Sequence, residues 1–113
     1  MTSEPTAPPS ARWRSSTPPA GFERHRGPRR GRVRLPLRLW RSGPSPAFEL
    51  EDPRWRRHLY EIVLAQGTAD DVERYVDPEL LVADWDHLWL PLAVHAAWDS
   101  WIEQNRAELV RGA

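Results

Sequence analysis

Cysteine and lysine are both absent from this chain of 113 residues. The lack of cysteine excludes a disulfide framework, a thiolate metal site and a cysteine nucleophile, which is typical of a cytoplasmic protein. No apolar run is long enough to span a membrane, and the proline- and arginine-rich start has no apolar segment of the secretory type. We therefore expect a cytoplasmic protein that does not engage a membrane.

Charge is plentiful but unevenly distributed. All 16 basic residues are arginine, and they balance 16 acidic residues. The two signs are separated, because residues 1–50 hold 10 Arg against 3 Glu whereas residues 51–113 hold 6 Arg against 13 Asp and Glu. Nine of the 12 prolines also lie in residues 1–50. This joint change near residue 50 predicts a basic N-terminal part followed by an acidic body.

The basic part begins with residues 1–31, which are predicted to be a disordered arm. Its prolines remove backbone donors, and its apolar residues Trp13 and Phe22 are too sparse to offset the entropy of ordering the backbone. A cluster of six arginines, four in the arm and two directly after it, either contacts the phosphates of a nucleic acid or is simply solvated. The residues of this cluster are Arg24, Arg26, Arg29, Arg30, Arg32 and Arg34.

Residues 32–41 are predicted to be an extended amphipathic strap, because aliphatic and polar residues alternate along them. Pro36 cannot donate to a β-ladder, so the strap is expected to be an edge strand rather than a central one. A lone strand in a helical chain either packs on its own helices or adds to the edge of another protein. Residues 42–51, which begin with serine, glycine and proline, are predicted to be a linker.

From Asp52 onward the sequence is typical of helices. Asp52 and Pro53 are an N-cap and a first-turn proline, and Gly67 is the stop signal of the same helix. Further helix starts are marked at Thr68, Asp77 and Pro91. The prediction is an all-α domain over residues 52–113, a small bundle of three to four short helices.

Five tryptophans lie in this predicted helical domain. A domain of this size buries only about 60% of the surface that its unfolded chain exposes, whereas each large aromatic side chain covers roughly 150–250 Å². Either the tryptophans form a fully internal core, or some remain exposed and mark an interface. We prefer the second interpretation, in which Trp98 and Trp101 are core while Trp85 and Trp89, beside an inter-helix turn, contact a partner.

The predicted partner-binding residues combine this turn with the strap. They are Val33, Leu35, Leu37, Leu39, Trp40, Trp85, Trp89 and Leu90. Linking two modest contacts on one chain raises the effective concentration of the second, so together they give tight association. The partner is another protein or a second copy of this chain, in which case the basic arm of each copy of a homodimer lies on the acidic body of the other.

No group of residues in the sequence supports catalysis. The segment Asp84–His87 holds two carboxylates and an imidazole, but a metal site needs three or four convergent ligands. Asp70 and Asp71 are expected at a helix N-terminus for electrostatic reasons alone. The six glycines are scattered, so there is no glycine-rich phosphate loop. We expect no catalytic residue, no metal site and no cofactor.

The alternative function is a DNA-binding transcriptional regulator. A helix, the turn Gln66–Thr68 and a second helix over residues 69–76 have the outline of a helix-turn-helix. The second helix carries Asp70, Asp71 and Glu73, which repel phosphates. The arginine cluster would therefore have to supply the attraction to nucleic acid.

One stretch of the chain resembles a known family. Its pattern comprises Tyr60–Val72, Tyr75–Asp77, Trp85–Asp86, Leu88–Pro91 and Ala97–Trp98. This pattern, within residues 55–101, resembles small actinobacterial proteins that accompany nucleotidyltransferase-type toxins as their antitoxins. The resemblance implies a non-catalytic role, in which the antitoxin masks the active-site cleft of a toxin that adds nucleotides to tRNA. The arginine-rich residues 1–50 lie outside it.

Overall fold

The computed structural model describes residues 18–19, 22 and 27–112, with side chains as far as residue 107. This part of the chain is mainly helical, with two very short strands, so the all-α prediction is confirmed in its main feature. The elements are β1 (Arg32–Val33), β2 (Phe48–Glu49), α1 (Pro53–Gln66), α2 (Ala69–Tyr75), α3 (Pro78–Asp84), a 3₁₀ turn (Trp85–His87) and α4 (Leu92–Gly112).

The helices begin where the capping residues predict. The Asp52 side chain accepts from the Arg54 backbone N–H at 2.9 Å at the start of α1. Thr68 and Asp71 form a reciprocal capping box at the start of α2, and Asp77 accepts from the backbone N–H of residue 80 at the start of α3. Because each cap satisfies otherwise free backbone donors, these boundaries are encoded locally.

The strap does not continue as a strand beyond β1. The carbonyl of Pro36 accepts from the backbone N–H groups of Leu39 and Trp40 at 2.9 and 3.0 Å, which turns the chain back. Leu35 and Leu39 point into the core, so the strap packs on its own helices rather than on another protein's sheet. The prediction that residues 32–41 are extended is therefore wrong from Leu37 onward, because the Pro36 carbonyl closes a turn there.

Residues 42–51 do more than link the strap to the helices. Their Phe48–Glu49 segment is β2, which pairs antiparallel with β1 so that Val33 lies opposite Phe48. Phe48 and Leu50 are fully buried. The interpretation as a linker missed the partner strand, because a two-residue strand has no periodicity for sequence reasoning to detect.

The N-terminal residues that the structure describes lie on the helices. Phe22 is fully buried, with its ring centroid 5.6 Å from that of Trp98 and 5.1 Å from that of Trp101. The Gly27 N–H donates to the Val76 carbonyl at 3.2 Å, and a Cβ at Gly27 would lie 2.6 Å from the Val76 nitrogen. Only glycine therefore permits this backbone-to-backbone approach.

Most of the predicted disordered arm, residues 1–31, lies outside the described residues. Phe22 does not fit that prediction, since its side chain is part of the core. Its burial depends on Trp98 and Trp101, which are more than seventy positions away in the sequence, so local composition does not reveal it.

The core lies on the inner face of α1, which contacts β2, α2 and α3. Tyr60 is fully buried, and its hydroxyl accepts from the Asp77 backbone N–H at 3.2 Å, which ties α1 to the start of α3. Desolvation by burial raises the pKa of Tyr60 above its ordinary value. No helix in the described part of the chain has the length and apolar character needed to cross a bilayer.

Candidate protein-binding surface

Four residues between the 3₁₀ turn and the first turn of α4 form an exposed apolar surface, the Trp89–Leu92 ledge. Its members are Trp89, Leu90, Pro91 and Leu92. The side chain of Trp89 is 89% exposed and that of Leu92 is 88% exposed, whereas Leu90 is partly buried and packs against the core. An indole and an isobutyl group that both stay in water only three positions apart in the sequence are typical of an interaction surface.

The backbone of the ledge is anchored although its side chains are exposed. The Trp89 N–H donates to Glu61 Oε2 on α1 at 2.8 Å. On one side, Leu88 N–H donates to the carbonyl of Trp85 at 3.2 Å, and on the other, His95 N–H donates to the carbonyl of Pro91 at 2.9 Å. The ledge is therefore held in place before any partner arrives, which reduces the entropic cost of binding.

The predicted partner-binding residues fall into three groups: exposed, partly buried and buried. Leu37 and Trp89 are largely exposed, at 71% and 89%. Val33, Trp40 and Leu90 are partly buried against the core. The remaining three are buried in it: Leu35, Leu39 and Trp85.

The burial of Leu35, Leu39 and Trp85 corrects their assignment as contact residues. Trp85 lies in the 3₁₀ turn with only 4% of its surface exposed, and its ring centroid is 4.9 Å from that of His95 on α4. The tight turn directs Trp85 inward, while the extended chain that follows directs Trp89 outward. A position beside a turn therefore does not predict exposure, since Trp85 is buried and Trp89 is exposed.

A groove opens beside the ledge, between it and the strap. The groove has a volume of about 410 Å³ and is lined by Arg38, Arg41, Ala65, Gln66 and Pro91. We call it the strap–ledge groove. Ala65 and Gln66 of α1 form part of its lining, and Pro91 belongs both to its wall and to the ledge, so the groove adjoins the ledge.

A second cavity of about 440 Å³ continues from this groove and shares Arg41 and Gln66 with it. Its walls include Trp40 on the strap and His58 on α1, whose ring centroids are 6.1 Å apart. Phe48 packs beside both rings. Sequence analysis missed this cavity because residues from the strap and from α1 meet only in the folded chain.

The strap wall of the groove is fixed by an ion pair. Arg38 donates to the two carboxylate oxygens of Asp71 at 2.6 and 2.5 Å, and Asp71 also accepts from the Thr68 backbone N–H at 2.8 Å. The hydrogen bonds from Arg38 hold the pKa of the Asp71 carboxyl below its usual value. Asp71 therefore has a structural role beyond capping α2: it holds the strap on the helices.

A second buried carboxylate joins α1 to α3. Asp84 is almost completely buried, and both of its oxygens accept from the Arg56 guanidinium, at 2.7 and 3.0 Å. Arg57 donates to the same carboxylate at 3.0 Å. Asp84, considered in the sequence as a metal ligand, thus accepts hydrogen bonds from two arginines. Among the residues that the structure describes, no group of three or more His, Asp and Glu is arranged to hold a metal ion.

Three members of the arginine cluster assigned to nucleic-acid binding contact other residues of this chain. Arg24 and Arg26 lie outside the described residues. Arg29 donates to Glu79 at 3.0 Å and Arg32 donates to Glu49 at 3.0 Å. Of the remaining members, Arg34 donates to the Ser45 carbonyl at 2.7 Å, and Arg30 is exposed.

Other parts of the chain cover some of the surface that the helix-turn-helix outline would present to DNA. The second helix of that outline, α2, has only seven residues. Its Asp71 is bound to Arg38 of the strap, and the Gly27 backbone lies against its C-terminal end at Val76. The exposed residues of α2 include Asp70 and Arg74, which have opposite charges. Nucleic-acid binding stays a prediction, with less free surface than the sequence implies.

Comparison of the chain with protein-family models, with curated proteins and with solved structures found no match. The candidate surface is therefore defined by its geometry, exposure and charge.

Proposed function

We propose that this chain is a non-catalytic protein-binding module that engages a protein partner through the Trp89–Leu92 ledge. One observation carries the proposal: Trp89 and Leu92 are 89% and 88% exposed on a backbone that is already anchored. Tryptophan is enriched among the residues that dominate binding energy at interfaces. Burial of both side chains by a partner removes apolar surface from water, with no reorganisation of the loop.

We further propose that the partner is a nucleotidyltransferase-type toxin and that this chain is its antitoxin. The support is the resemblance within residues 55–101 together with the charge of the acidic body. Residues 51–113 carry 13 acidic residues against 6 Arg. An enzyme surface that binds tRNA is expected to be basic, so an acidic inhibitor is electrostatically suited to cover it.

The variant Trp89→Ala tests the binding surface. We expect it to keep the helix content and melting temperature of the wild type, because its side chain is exposed. Its affinity for the partner should fall by at least ~2 kcal/mol, about thirtyfold in Kd, if Trp89 is the central contact. Isothermal titration calorimetry measures the affinity, and circular dichroism verifies the fold.

Two leucine variants extend this test, one within the ledge and one outside it as the matched control. Leu92→Ala should weaken binding because Leu92 belongs to the ledge, whereas Leu37→Ala, on the strap and also exposed, should not. Unchanged affinity in both Trp89→Ala and Leu92→Ala would remove the ledge from the interface. A loss confined to Leu37→Ala would assign binding to the strap.

The gene next to this one tests the identity of the partner. If it encodes a nucleotidyltransferase, purified samples of the two proteins should form a complex, and addition of this chain should stop nucleotide transfer to tRNA. Free enzyme activity in the presence of excess chain would contradict the antitoxin proposal. The protein-binding proposal would then be tested separately by the variants of the ledge.

A further inference from the structure

Arg41 is an arginine without a countercharge at the centre of the candidate surface. It is exposed, and among the described residues no acidic side chain lies within ion-pairing distance of it. Its neighbour in the groove, Arg38, is neutralised by the buried carboxylate of Asp71. The positive charge of the groove is therefore carried by Arg41.

The lining of the two connected cavities is not acidic at any described position. It consists of arginines, aromatic rings, small and aliphatic side chains, and the Gln66 amide. The body as a whole is acidic, with 13 acidic residues against 6 Arg in residues 51–113. A basic groove on an acidic body attracts an acidic group locally while the rest of the surface repels it, which favours one position for a bound carboxylate.

The face of α1 that lines the second cavity and the groove sets the size of the segment that the two together hold. His58, Ile62 and Gln66 line the second cavity at intervals of four residues, so they share one face of α1, and Gln66 also lines the strap–ledge groove. Eight residues of helix rise about 12 Å at about 1.5 Å per residue, and an extended chain advances about 3.3 Å per residue. About four residues of extended polypeptide therefore span this face, and the exposed Gln66 amide offers both a donor and an acceptor to their backbone.

We propose that the strap–ledge groove and the second cavity that continues from it bind an extended segment of the protein partner, whose Asp or Glu pairs with Arg41 while an adjacent apolar side chain covers Trp89 and Leu92. This inference rests on the proposed function and adds the chemistry of the partner's segment to it. Arginine suits this role because its planar guanidinium binds a carboxylate through two parallel hydrogen bonds.

Selection from a phage library of short random peptides on the immobilised full chain tests the proposal. Peptides enriched on the wild type should share an acidic residue next to an aromatic or aliphatic one. On Arg41→Glu the acidic position should change to Lys or Arg, because the charge that it meets is reversed. Synthetic copies of the wild-type peptides should bind Arg41→Glu about tenfold more weakly in fluorescence polarisation.

Arg30→Glu is the matched control, since Arg30 is exposed and the net charge changes equally. It should leave both the enriched sequences and their affinities unchanged. Enriched peptides with no acidic preference, or the same preference on Arg41→Glu, would overturn the inference. We expect Trp89→Ala to enrich no peptide. Enrichment on Trp89→Ala would contradict the ledge as the binding surface, whereas the results above contradict the acidic segment. The two proposals therefore fail by different results.

Two other occupants of the groove are distinguished by further measurements. Concentration-dependent dimerisation in sedimentation velocity that disappears in Arg41→Glu would assign the groove to a second copy of this chain. Binding of a fluorescent single-stranded RNA that also disappears in Arg41→Glu would assign it to phosphate. Either result would overturn the carboxylate segment as the occupant.

Discussion

Asp71 combines two tasks in one buried side chain. It caps α2 through Thr68 and accepts hydrogen bonds from two nitrogens of the Arg38 guanidinium, and it is only 3% exposed. Because the ionised form is the one that accepts these hydrogen bonds, the pKa of Asp71 is lowered in the folded chain. The Asp71 carboxylate therefore binds a proton less tightly in the native state than in the unfolded chain.

The sign of the pH dependence follows from this lowered pKa. The contribution of Asp71 to the free energy of unfolding is present above the unfolded pKa of about 3.9 and is lost as the pH falls through the folded value. We predict that the wild type loses stability below about pH 4 and that Asp71→Asn loses less over the same range. Urea unfolding between acidic and neutral pH measures this, with Asp70→Asn as the exposed control. Equal acid slopes for wild type and Asp71→Asn would contradict it.

At the scale of elements, α1 and α3 are joined by one buried acid. Asp84→Ala leaves Arg56, whose side chain is only 13% exposed, without its carboxylate. Loss of one partner of a buried pair costs about 3–5 kcal/mol, so we predict a fall of this size in the free energy of unfolding. Asp86→Ala is the control, because Asp86 is 74% exposed and is paired with the exposed Arg106, at 3.3 Å. The control should change stability by less than ~0.5 kcal/mol.

Phe22 joins the N-terminal part of the chain to α4. Its ring packs against Trp98 and Trp101, and we predict that Phe22→Ala lowers the free energy of unfolding by about 3–5 kcal/mol. Chemical denaturation of the full-length variant measures the loss. Leu37→Ala, which removes an exposed side chain, should remain within ~0.5 kcal/mol of wild type. A wild-type midpoint for Phe22→Ala would show that this contact contributes nothing to stability.

The sequence predicts the elements far better than their contacts. The helix starts at Asp52, Thr68 and Asp77 are predictable because a cap bonds to backbone only two or three residues away. The pairing of β2 with β1 and the burial of Phe22 are not, because they join distant segments of the chain. The candidate site follows the same division: the exposure of Trp89 was expected from its place beside a turn, whereas the groove depends on contacts between the strap and α1.

At the scale of the whole molecule, part of the charge that is separated along the sequence is paired within the fold. Arg29 meets Glu79, and Arg38 meets Asp71, so arginines from the basic part lie on the acidic body of the same chain. The sequence left open whether the basic arm is solvated or reaches another molecule, because composition shows the two charges but not their distance after folding. Arg41 has no acidic partner among the described residues, and its charge, which lies in the groove, is available to a partner.

The contrast between Trp89 and the enclosed tryptophans also gives the protein an optical signal of its own. An indole in water emits at longer wavelength and is quenched by acrylamide, whereas Trp85 and Trp98 are shielded from the quencher. A ligand that covers Trp89 should therefore shift the emission to the blue and reduce quenching. Association can then be followed in solution with the natural chromophore and without an attached dye.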